Sequence, residues 1–171
     1  LTICANMENN SAKPEVCANR EIERKFLVRG PFKEFATSSS AIWQGYIAIS
    51  KGRTVRVRIR DDKAFLTIKG PSESGGLSRF EWEREISLED ATALRTIALP
   101  GGIEKRRYIV PFGGHIFEVD EFFGANAGLV LAEVELQSEN ESFERPEWLG
   151  EEVTGNPRYY NSFLSGNRDI R

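Results

Sequence analysis

The chain has 171 residues, 40% of them hydrophobic and 29% charged, with a formal net charge of −3. One domain of that length buries most of its unfolded surface without disulfides or metals, and the acidic balance excludes the broad basic footprint of a nucleic-acid binder. No stretch approaches the roughly 20 apolar residues of a membrane helix and no charged-then-apolar pattern marks a signal peptide, so the expectation is a cytoplasmic protein with neither nucleic acid nor membrane as a partner.

Residues 1–20 mix Asn, Ser, Lys, Pro and Glu without periodicity and read as a disordered leader. The two cysteines, Cys4 and Cys17, both lie there, where a disulfide would staple nothing of the core, and the single methionine, Met7, is a candidate start. The domain is expected over 21–166, with 167–171 a short tail.

Strand-like alternation begins at Glu21 to Val28 and is closed by Gly30-Pro31, after which Pro31 to Ser38 has the form of a short helix. A second strand is expected over Ile42 to Ser50, with Gln44 and Tyr46 on one face and Trp43 and Ile47 on the other. Thr54 to Arg60 and Ala64 to Lys69 form a hairpin about Asp61-Asp62-Lys63. A Gly/Ser/Pro-rich loop, Gly70 to Leu77, leads to a fifth strand at Phe80 to Leu88. Ser87, with Asp90 three residues on, caps a helix carrying Ala91, Leu94, Ile97 and Ala98, which Pro100-Gly101-Gly102 stops. Three further strands follow, Ile103 to Val110, Ile116 to Phe122 and Leu129 to Gln137. Ser138 and Glu141 then make a second capping box before Pro146, and the tail from Thr154 to Gly166 offers one more helix. Eight strands in hairpin-like succession predict a mainly β fold with peripheral helices, an eight-stranded antiparallel β-barrel that leaves no sheet edge.

The alternating faces carry like charges: Glu21-x-Glu23-x-Lys25, Arg56-x-Arg58-x-Arg60, Glu81-x-Glu83-x-Glu85, Lys105-x-Arg107 and Glu133-x-Glu135. In the Arg56 and Glu133 strands the opposite face is apolar, so the apolar side is committed to packing and the charges face one another or a ligand. Same-face neighbours on a strand are about 6.6 Å apart and adjacent strands about 4.8 Å, so two Glu pairs on neighbouring strands bring four carboxylates around one point. Repulsion there is relieved by a divalent cation, and an all-oxygen set favours Mg²⁺ or Mn²⁺ over zinc. The arginine ladder offers bidentate forks to successive phosphates. Acidic and basic walls together imply a linear polyphosphate or nucleoside triphosphate as ligand, with Glu81 or Glu83 able to orient a water.

Glu21-Ile22-Glu23-Arg24-Lys25 matches the ExExK motif of the CYTH superfamily, the triphosphate tunnel metalloenzymes, and EIERKFLV resembles its bacterial members. The likeness runs from Glu21 to Ser165 and includes Gln44-Gly45-Tyr46, the RxRxR strand, Leu66-Thr67-Ile68-Lys69, Lys105-Arg106-Arg107-Tyr108, Asp120 and Glu133-Val134-Glu135. The chain departs from the family at Gly155-Asn156-Pro157, where an acidic residue often follows the threonine. The resemblance implies a tunnel, divalent-metal dependence and action on triphosphates. By position it makes Glu21, Glu23, Glu133, Glu135 and Asp120 metal-binding residues and Lys25, Arg56, Arg58, Lys69 and Arg107 phosphate-binding ones. It gives Lys105 and Tyr46, with Glu81 and Glu83, catalytic roles, and it makes a homodimer a family-level expectation.

Beside these stand plainer readings. His115, next to Gly113-Gly114, is expected at the surface, and Trp43, Trp82 and Trp148 in packing roles; Glu85 belongs at a rim, and Arg60 and Glu118 fit either tunnel or rim. The expected function is metal-dependent hydrolysis of inorganic tripolyphosphate. The alternatives are a class IV adenylyl cyclase, a thiamine or nucleoside triphosphatase, and, in another class, a non-catalytic polyphosphate- or nucleotide-binding module. The Glu21, Glu23, Glu133 and Glu135 set speaks against the last, because cations alone would suffice to hold phosphate.

Overall fold

The alternation of the sequence becomes a sheet that closes on itself in the computed structural model, which describes residues 19–166. Cys4, Cys17, Met7, nearly all of the expected leader and the tail 167–171 lie outside the described residues. The strands are β1 (Arg20–Val28), β2 (Ser38–Ser50), β3 (Arg53–Arg60), β4 (Lys63–Glu73), β5 (Ser78–Ile86), β6 (Ile103–Phe112), β7 (His115–Phe122), β8 (Val130–Glu135) and β9 (Leu149–Glu152). Neighbours run β5-β4-β3-β2-β6-β7-β8-β1, and β1 returns to β5 through the pair Glu21↔Arg79. Eight antiparallel strands therefore close a barrel, and β9 lies along β1 beyond the stretch that β5 covers.

Three apolar clusters flank the charged space. Outside the β1–β8–β7–β6 wall, Phe26, Val110, Phe117 and Val134 pack under Phe32 and Trp148. Outside β2–β3–β4, Val57 and Ala64 meet Ala91 and Leu94 of α1 (Leu88–Arg95). The third cluster lies inside. Ile103, Phe122 and Leu131, with Leu27, share the inward faces of Lys105, Asp120, Glu133 and Lys25, and they pack against Val153, Tyr159 and Leu164. The lumen is thus charged toward one end and filled with apolar side chains toward the other, a division that the charged motifs alone do not reveal.

Several elements differ from expectation for identifiable reasons. Pro31 to Ser38 yields only a 3₁₀ turn, Lys33–Phe35, because β2 begins at Ser38, where it pairs with Ile109 of β6. β4 runs on to Glu73 through a register shift between Lys69 and Ser72, which absorbs half of the expected loop. Ser87 caps α1 through its side-chain oxygen, which accepts from Asp90 N at 3.0 Å, but the helix ends at Arg95 and Ile97 is 62% exposed. No helix forms between Ser138 and Pro146. The Glu141 carboxylate is taken by the Gln137 backbone N–H and by His115, so the second capping box does not form. The tail gives the 3₁₀ turn Pro157–Tyr159 and the four-residue α2 (Asn161–Leu164). Among the described residues no helix is long and apolar enough to cross a membrane.

Candidate active site

The inward faces of the eight strands border a cavity of about 690 Å³. Of the residues proposed for the site, all line it except Lys105 and Asp120, which lie beneath its surface. Tyr46 reaches the lumen from β2, where Gly45 admits the Trp43 ring: a Cβ on Gly45 would stand 2.9 Å from a Trp43 ring carbon. The Arg95 guanidinium covers that ring at 4.3 Å, so α1, β2 and the lumen-facing Tyr46 are set by one stack.

Most charges in the lumen are already matched. Lys25 Nζ is 2.8 Å from Glu133, and Lys69 Nζ is 2.6 Å from both Glu21 and Glu81. Arg79 Nε lies 3.3 Å from Glu21. Arg56 donates to Thr67 at 3.1 Å, and the Thr67 hydroxyl donates to Glu83 at 2.7 Å, which orients Glu83 toward the cavity. Deepest is a knot on β6 and β7, where Asp120 accepts from Arg107 Nε and Nη2 at 2.7 Å each and from Lys105 Nζ at 2.5 Å. Arg107 also bonds Glu118 and Glu133, and Asn161 of α2 stands 3.4 Å from Lys105 Nζ.

Four lumen charges have no ion pair among the described residues: Glu23 and Glu135, which face each other directly across β1 and β8, and Arg58 and Arg60 on β3. Like charges opposed across strands are destabilising, and burial with other carboxylates nearby raises both of these carboxyls. Burial, with the Glu133 and Glu21 carboxylates, pushes Glu23 up to about 7. Glu21 goes the other way: burial opposes it, but Lys69 and Arg79 hold it down to about 2. Glu133, despite burial, is kept well below the ordinary range by Lys25 and Arg107. Burial lowers Lys105 to about 7 in spite of Asp120, helped by the charges of Arg107 and Arg58.

The donor set fits a hard divalent cation. Glu23 and Glu135 are oxygen donors with no cation of their own, and both are pushed toward protonation, first by burial and then by the carboxylates around them. Among the described residues no three acidic, His or Cys side chains already converge as a ligand set, because Glu21 and Glu133 are spent on lysines and Asp120 on Arg107 and Lys105. In this arrangement Asp120 holds the Arg107 and Lys105 side chains, and Glu23 with Glu135 are the carboxylates left without a cation.

Sequence reasoning left out Arg79, although its parity with Glu81 on β5 puts it on the same inward face. Glu118 and Arg60 both border the cavity, Arg60 at an exposed edge. Glu85 is exposed, 3.8 Å from Lys63. His115 is not a surface residue: it is half-buried, its Nε2 lies 2.9 Å from Glu141, its ring meets Phe143 edge-on, and it borders the cavity. Tyr160, Asn161 and Ser162 also border it, so the C-terminal segment contributes to the lumen despite the Gly155-Asn156-Pro157 departure.

The chain matches the family model for the CYTH domain over residues 19–162. It is 47% identical to an inorganic triphosphatase of Acetivibrio thermocellus over 149 residues, 86% of this chain and 94% of that protein. It is 37% identical to an inorganic triphosphatase of Nitrosomonas europaea, again over 149 residues, 85% of this chain and 96% of the relative. A crystal structure of an inorganic triphosphatase superposes with a TM-score of 0.62 at 34% identity, covering 85% of this chain and 97% of that one. Barrel closure, the ordered charges on its inner wall and these likenesses across nearly the whole domain agree, and the chain belongs to the CYTH domain family.

Proposed function

We propose that this protein hydrolyses inorganic tripolyphosphate to pyrophosphate and phosphate with the help of Mg²⁺ or Mn²⁺. The observation that carries the reading is the pattern of unspent charge: in a lumen where most ions are paired, Glu23 with Glu135 and Arg58 with Arg60 are left over, one pair suited to metal and the other to phosphate. The named activity of the two relatives supports the same reading. Glu23 and Glu135 would hold the cation, joined by Glu21 and Glu133 if phosphate draws Lys69 and Lys25 away. The cation supplies charge neutralisation at the phosphate oxygens and at the leaving group.

The chain's own residues supply the rest. Arg58 and Arg56, with Lys25, Lys69, Arg79 and Arg107 around the same cavity, orient the phosphates and stabilise charge that builds up on them. Glu83, held by Thr67, is placed to orient the attacking water, and Glu81 fixes Lys69. Water oxygen bonds the terminal phosphorus as its bridging P–O bond breaks, and pyrophosphate leaves. Lys105 is fully buried against Asp120 and keeps Arg107 in place from below, with Tyr46 at the lumen surface. Apolar filling of one end of the lumen favours attack at the end of a phosphate chain that enters from the other.

The test is direct. The protein is incubated with Mg²⁺ or Mn²⁺ and either tripolyphosphate or ATP, and phosphate, pyrophosphate and cyclic AMP are followed. Phosphate release from tripolyphosphate in preference to ATP is the expected result; cyclic AMP formation overturns it in favour of a cyclase, and binding without turnover in favour of a non-catalytic module.

A further inference from the structure

Gln44 sits in the middle of β2, opposite Arg58 of β3 on one side and Ile103 of β6 on the other, with no accessible surface. Its amide oxygen accepts from Arg58 Nε at 3.1 Å. A guanidinium only donates, so the oxygen must face it and the amide nitrogen must point away. That nitrogen has no hydrogen-bond partner among the described residues. A buried donor without a partner costs stability, and a leucine in the same space would avoid the cost. What the position gains lies on the oxygen side.

The gain is visible by comparison with the other lumen cations. Lys25, Lys69, Arg79 and Arg107 each face a carboxylate, and Arg56 is 3.5 Å from Glu83. Arg58, half-buried beside them, has the neutral Gln44 oxygen as its partner. A bond at Nε fixes the plane of the guanidinium and leaves both terminal nitrogens for a ligand. Burial, with Arg56 and Arg107, lowers Arg58 to about 10, so it stays charged near neutrality.

We propose that Gln44 is a positioning residue, a neutral acceptor that holds the Arg58 guanidinium at the cavity without cancelling its charge, so that the fork is free for phosphate oxygens of the substrate. This rests on the tripolyphosphate reading above. A carboxylate at position 44 would orient the fork equally well but would compete with phosphate for it, and an apolar residue would leave the fork unaimed.

Steady-state kinetics with Mg²⁺ and tripolyphosphate on the full chain, with thermal melting to confirm folding, compare wild type, Gln44→Leu, Gln44→Glu, Arg58→Ala and the double variant Gln44→Leu/Arg58→Ala. The expected result is a KM raised roughly tenfold or more in Gln44→Leu, the loss associated with a hydrogen bond to a charged group, with kcat changed much less. Gln44→Glu is expected to raise KM as well, and Gln44→Leu to add almost nothing once Arg58 is alanine. A wild-type KM in Gln44→Leu, or a full additional loss on top of Arg58→Ala, overturns the proposal, since a packing role would act independently of Arg58. If Gln44→Leu does not fold, Gln44→Met carries the same comparison. Absence of turnover in the wild type defeats the functional reading itself, whereas an active wild type with a silent Gln44→Leu defeats only the role of Gln44.

Discussion

Asp120 and Glu23 are both inward acids on neighbouring parts of one barrel wall, yet they live in opposite circumstances. Asp120 is 2% exposed and receives three short bonds from Arg107 and Lys105. Glu23 faces Glu135 across the sheet and has no ion pair among the described residues. A charge that the fold itself neutralises is part of the scaffold, and a charge that it leaves open at a cavity is an invitation to a ligand. Two acids of similar chemistry therefore divide into one that holds the wall together and one that the fold leaves unmatched at the cavity.

Substitution separates the two. Glu23→Gln is expected to lower turnover of tripolyphosphate by roughly a hundredfold or more with a melting temperature at or above that of wild type, because a repulsion is removed. Undiminished turnover would take Glu23 out of the metal site. Asp120→Asn has the converse signature: removing one partner of a buried ionic cluster costs about 3–5 kcal/mol, read as a lowered midpoint in urea, and any loss of activity would follow from the displacement of Arg107. Equal stability of Asp120→Asn and wild type would show that the β6–β7 knot is not structural.

A milder contrast concerns pH. The Glu141 carboxylate beside His115, aided by the Gly113 carbonyl, raises the imidazole above its ordinary value. The pair's contribution to stability is therefore complete below the ordinary histidine value and is lost as pH rises through the raised one. Melting of wild type and His115→Phe between about pH 5.5 and 8.5 should show a gap that narrows as pH rises; a gap independent of pH would mean that the ring matters only through its packing on Phe143.

Parity made much of this legible. Once Val57 and Val134 are assigned outward, Arg56, Arg58, Glu133 and Glu135 must face in, and Arg79 follows from Glu81 by the same rule. Two-residue periodicity is local, so it survives in the sequence. What it does not carry is the partner of each charge. Glu21 and Glu23 are indistinguishable in the motif, and only the registers of β1 against β5 and β8, and of β5 against β4, give the first a lysine and an arginine and the second another glutamate. The short β9 was missed because four residues, Leu149–Glu152, show too little alternation to identify a strand, and the expected helix after Ser138 failed because Glu141 found better partners outside its own turn.

The seam at β1 also bears on how the chain is made. Beyond Ile22, where β5 covers it, β1 has only distant neighbours: Glu23 pairs with Glu135, Phe26 with Glu152, and the Val153 amide donates to the Lys25 carbonyl, so this part of the strand finds its partners only after nearly the whole domain has been made. Contacts of such long sequence separation form late and slowly. During synthesis the Arg24 to Val28 part of β1 is thus an unpaired edge, and amide-exchange labelling of arrested chains should find it unprotected until β8 and β9 are out; early protection there would point to a non-native partner for the nascent strand.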